Sequence, residues 1–81
     1  MNICVHTSPG RRGEAEPHVF YLGGHRMIVA GILGRWVEHP NRFYQVSCDD
    51  GRCFLLRYDA MRQIWQLAGC YRATAVSARY W

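Results

Sequence analysis

From His18 to Leu67 apolar and polar residues alternate in short runs, and Gly, Pro, Asn and Asp interrupt the runs at intervals of about ten residues. A period of two broken in this way predicts antiparallel strands joined by tight turns. The first strand is expected from His18 to Leu22, followed by a turn at Gly23-Gly24, where positive φ costs little. A long strand from His25 to Glu38 comes next. Met27 and Val29 share one face of it, and Ile32 and Trp36 join that face only if one extra residue is inserted at Ala30-Gly31. A glycine inside a strand pattern marks such a bulge, and Gly34 offers a second. The group His39-Pro40-Asn41 ends the strand, because proline cannot donate to a ladder.

The clearest hairpin is Arg42 to Cys48, Asp49-Asp50-Gly51, then Arg52 to Tyr58. A two-residue turn at Asp50-Gly51 would place Tyr44 and Val46 on the same face as Arg57. A three-residue loop with Gly51 in the left-handed conformation pairs Cys48 with Arg52, Val46 with Phe54 and Tyr44 with Leu56. Only this register yields one apolar face, Tyr44, Val46, Phe54, Leu56 and Tyr58, so it is the one predicted. It sends Cys48 and Cys53 to opposite faces. A loop over 59–62 leads to a last strand, Gln63 to Ala68, with Trp65 and Leu67 inward and Gly69 closing it. The period does not decide the structure of 70–81, which ends in Tyr80-Trp81.

Residues 1–17 show neither period and carry Pro9, Gly10, Gly13 and Pro17 among charges, so they are expected to form a flexible arm ahead of one β domain, 18–81. The fold class predicted is all-β, with five antiparallel strands in meander order curled into a half-barrel or small SH3-like barrel. A barrel left open would expose the hairpin's apolar face, and homodimerisation would then cover it.

The chain has 81 residues, enough for one core. Hydrophobic residues make up 49% and charged residues 20%, which excludes disorder throughout. No apolar run approaches the ~20 residues that span a bilayer, and Met1 to Val5 lack the basic start of a leader. A cytoplasmic protein with no membrane partner is therefore expected. The net charge is +4, and all ten basic residues are arginines. Arginine's planar fork suits phosphate and stacks on rings, although codon usage in a GC-rich genome gives the same bias.

Cys4, Cys48, Cys53 and Cys70 lack the close pairing of structural zinc sites, so reduced thiols and no metal or other cofactor are expected. No nucleophile signature and no glycine-rich phosphate loop opening a helix is present, which argues against an enzyme. The remaining chemistry is a basic strip, Arg35, Arg42, Arg52 and Arg57, with Trp36, Phe43 and Tyr80 as stacking faces for single-stranded nucleic acid. Phe43 is singled out because it lies opposite Tyr44 in its strand. The alternative is a protein-protein adaptor using a sheet edge or the aromatic C-terminal tail, and the third is a zinc or redox protein, which would show stoichiometric zinc or a disulfide.

Gly24 to Leu67 also resembles a family of short bacterial proteins of unknown function. The features that carry the resemblance are Gly24-His25-Arg26, Ile32-Leu33-Gly34-Arg35-Trp36, Tyr44-Gln45-Val46, Asp50-Gly51, Phe54 to Asp59, and Trp65-Gln66-Leu67. This chain departs from the pattern in a shorter connection between its second and third strands and in its aromatic C-terminus. Because such proteins are sometimes encoded near error-prone polymerases, the resemblance implies an accessory role in DNA repair and names no catalytic residue.

Overall fold

The computed structural model describes residues 1–10 and 15–72. Six strands follow one another: β1 (Asn2–Pro9), β2 (Ala15–Leu22), β3 (His25–Glu38), β4 (Asn41–Cys48), β5 (Arg52–Asp59) and β6 (Ile64–Arg72). Each pairs antiparallel with the next, and β1 pairs with β6, so the meander closes into a barrel. No helix occurs among the described residues, and hence none is long and apolar enough to cross a membrane.

The all-β small barrel agrees with the pattern of the sequence, but the strand count does not. The N-terminal segment expected as a flexible arm holds β1 and the start of β2. Its alternation is legible only in part, because β1 packs Ile3 and Val5 against the core while a bulge at His18 shifts its register against β2. That sixth strand covers the face that five strands would have left open. Gly69 does not close β6, which continues to Arg72, with Leu55 opposite Gly69 and a bulge at Ala68.

Phe20, Met27, Tyr44, Val46, Cys48, Phe54 and Leu56 fill the interior. The β4–β5 register is the one demanded by side-chain alternation: Val46 faces Phe54 and Tyr44 faces Leu56. Gly51 adopts φ 88°, and its N–H donates to the Cys48 carbonyl at 3.0 Å. A Cβ there would meet no atom within 4 Å, so the cost of a side chain lies in the backbone alone. Gly51→Val is therefore expected to lower stability by about 1–3 kcal/mol, read from thermal or urea melts. Superimposable melts would overturn the turn assignment.

Cys48 points inward and Cys53, opposite Ser47, lies on the other face, yet both are buried. Burial, the largest cause, together with Asp50 and Asp49 pushes the Cys48 thiol up to about 11, and burial also raises Cys53. Both are therefore protonated at neutral pH and poor nucleophiles.

Two bulges shape β3. Ala30 is extra between Val29 and Gly31, which keeps Ile32 inward opposite Val46, as its glycine predicts. Leu33 is extra between Ile32 and Gly34, and this second bulge turns Trp36 away from the interior, contrary to the inward position expected with one bulge.

Candidate nucleic-acid interface

The second bulge places Trp36 directly across from Phe43 on the barrel's outer surface. Their rings stack with centroids 5.3 Å apart and 10° between planes. Trp36 is 40% exposed, and its indole N–H donates to Glu38 Oε2 at 2.9 Å. A stacked pair with one partly exposed ring is an arrangement that a base can extend.

The outer row continues across the barrel. Phe43 faces Arg57, Arg57 faces Gln66, and Gln66 faces Asn2. The Arg57 guanidinium donates through Nη2 to Gln66 Oε1, and Gln66 Nε2 donates to Asn2 Oδ1 at 3.0 Å. Arg57 Nε is buried without a hydrogen-bond partner. The row thus runs from two rings to a cation to two amides, one residue from each of five strands.

Next to it lies a cleft of about 510 Å³ bounded by Arg35, Trp36, Val37, His39, Arg42, Phe43 and Tyr44. Residues from both faces of β3 can line one cleft because β2 pairs only with His25–Ile28, so among the described residues Val29–Glu38 has β4 as its sole ladder partner. Arg35, on the inner face opposite Tyr44, is ion-paired with Glu16 across that gap. Arg42 is exposed, and its guanidinium has no hydrogen bond or ion pair among the described residues.

Four sequence-predicted site residues, Arg35, Trp36, Arg42 and Phe43, therefore share one cleft, and Arg57 stands beside Phe43. Arg52 does not join them. It lies near the β4–β5 turn, ~20 Å along the strands from Arg42 at ~3.4 Å per residue. There it is committed to Asp50, with Nε to Oδ2 at 2.8 Å and its backbone N–H to Oδ1 at 3.0 Å, and it lies over the Phe54 ring. The backbone hydrogen bond from Arg52, then its side chain, holds the Asp50 carboxyl below the usual carboxylate range. The single strip of four arginines expected from sequence is thus three at one end and one at the other. Tyr80 lies outside the described residues.

Nothing in the sequence pattern marks Gln66 and Asn2, since only closure of β1 on β6 brings them into the row. Among the described residues no cluster of His, Cys, Asp or Glu could hold a metal ion. No family model, curated protein or solved structure matches the chain. The resemblance over Gly24 to Leu67 accordingly assigns no family, and function rests on the site.

Proposed function

We propose that this protein is a non-catalytic module that binds single-stranded nucleic acid along the β3–β4 hairpin and the outer row beside it. The observation that carries this reading is the stacked Trp36–Phe43 pair, with Trp36 exposed and Phe43 half-buried, set between the Arg35–Arg42 cleft and Arg57. Rings accept bases of any sequence, while guanidinium groups track the backbone phosphates. An accessory role in DNA repair is one setting in which such a module would serve.

Capture of a partner strand on the edge of β3 that has no ladder partner among the described residues is the competing use. The bulges at Ala30 and Leu33 interrupt the regular row of N–H and C=O groups that a docking strand needs, and Arg35 and Glu38 place charges along it. That geometry favours the nucleic acid.

Titration of a fluorescent oligonucleotide at low salt tests the proposal. Binding is expected below ~100 μM protein, weakening steeply with salt, the range in which non-specific basic proteins bind. Arg42→Glu should weaken it and flatten the log–log salt slope by about 0.7, the change for one phosphate no longer neutralised. No binding at that concentration would sink the reading.

A further inference from the structure

A second cleft, of about 410 Å³, opens at the end of the barrel. Its wall is aromatic: the Trp65 ring lies 5.5 Å from that of Tyr44 and 5.0 Å from that of Tyr58, tilted by 43° and 44°. Tyr44 is buried and committed, its hydroxyl donating to the Ala15 carbonyl at 3.2 Å. Tyr58 and Trp65 are different. The Tyr58 hydroxyl and the Trp65 indole N–H have no partner among the described residues, and neither is sealed from solvent.

Arg42 lines this cleft as well as the hairpin cleft, so one guanidinium, unpaired among the described residues, serves both. An aromatic wall alone would also suit an organic cation, but a cation fixed at the rim repels one and attracts an anion. The combination of aromatic ring surface, two polar donors without partners among the described residues and one arginine fits a planar heterocycle carrying a phosphate. The volume is within the range of small-ligand pockets.

We infer that the barrel mouth is a one-nucleotide pocket, taking a single unstacked nucleobase against Tyr58 and Trp65 with its phosphate on Arg42. This rests on the strand-binding reading and deepens it, since Arg42 would hand the backbone from the hairpin cleft to the mouth. The nucleotide could come from solution or from a strand, and the test separates the two.

The measurement is a titration of the ¹⁵N-labelled full chain followed at the indole signals of its tryptophans. The probes are thymidine monophosphate, thymidine, inorganic phosphate and a short oligothymidylate. The monophosphate is expected to move the Trp65 signal, with thymidine and phosphate each needing at least ~10-fold higher concentration if base and phosphate are both held. The oligothymidylate should move both Trp65 and Trp36. Tyr58→Leu should raise the half-saturation concentration for the monophosphate roughly tenfold or more, as expected when one stacking face is removed. Arg42→Ala, at an exposed position, should do the same without touching the core.

A Trp65 signal unmoved by millimolar monophosphate, while the oligothymidylate moves Trp36, would overturn the pocket and leave strand binding standing. Equal responses to thymidine and its monophosphate would overturn the role of Arg42. No response to the oligothymidylate at either tryptophan would overturn strand binding; it would overturn the pocket as well if the monophosphate also left Trp65 unmoved, whereas a Trp65 response to the monophosphate alone would assign the pocket to a free nucleotide.

Discussion

Phe54→Ala is expected to abolish the cooperative thermal transition of this protein. Phe54 is fully buried, meets Phe20 edge-on at 5.2 Å and lies beneath the Arg52 guanidinium at 5.5 Å. Truncating a buried phenylalanine costs about 3–5 kcal/mol, through forfeited transfer energy and the cavity left behind. A core this small supplies about the same amount in total, so the variant has little stability left. Circular dichroism should show a broad, non-cooperative melt and loss of the near-ultraviolet aromatic signal. Leu55→Ala, one residue along and only half-buried on the outer face, provides the contrast and should retain a cooperative transition. If Phe54→Ala melts within a few degrees of the parent chain, Phe54 does not anchor the interior.

The double replacement of Trp36 and Phe43 by alanine is expected to have the largest effect on oligonucleotide binding. Each ring that stacks on a base contributes about 1–3 kcal/mol, so together they account for a roughly 30-fold to 10⁴-fold loss of affinity. The two rings touch, so their effects should not simply add, and the single variants complete a cycle that measures the coupling. Salt dependence separates this loss from that of an arginine. Removing rings should lower affinity at every salt concentration and leave the slope alone, whereas Arg42→Glu changes the slope. A purely structural pair would behave otherwise: the double variant would melt at lower temperature and bind the oligonucleotide with unchanged affinity.

The position of that pair also explains why the site is half legible in the sequence. Phe43 can be assigned to the outer face because it alternates with Tyr44 and Val46 in an unbroken strand. Trp36 cannot be assigned in the same way, since two glycines in β3 each permit a bulge and each bulge reverses every later side chain. One bulge puts Trp36 inside; the two that occur put it outside beside Phe43. Arg52 illustrates the opposite failure. It belongs to the same arginine-rich stretch as Arg42 and Arg57, but the antiparallel turn sends it to the other end of the barrel, where Asp50 occupies it.

The mouth follows the same logic. Side-chain alternation predicts that Tyr44, Tyr58 and Trp65 all face inward, and they do pack against one another. That their cluster sits at an open end rather than at the centre depends on how far each strand runs past its neighbours, and stagger of that kind is not written in a period of two.

By itself the sequence determined the strand class, the turn at Asp49-Asp50-Gly51 and the register of its hairpin. Those are local matters: side-chain alternation and the φ of one glycine decide them within about fifteen residues. Only the tertiary structure decided that residues 2–9 form a strand, that β1 closes on β6, and that residues from five strands line up in one outer row. Closure is a non-local pairing of the first strand with the last, made favourable because Ile3 and Val5 gain an apolar interior that already exists. Eight residues with weak alternation carry no sign of that interior until the other five strands have built it.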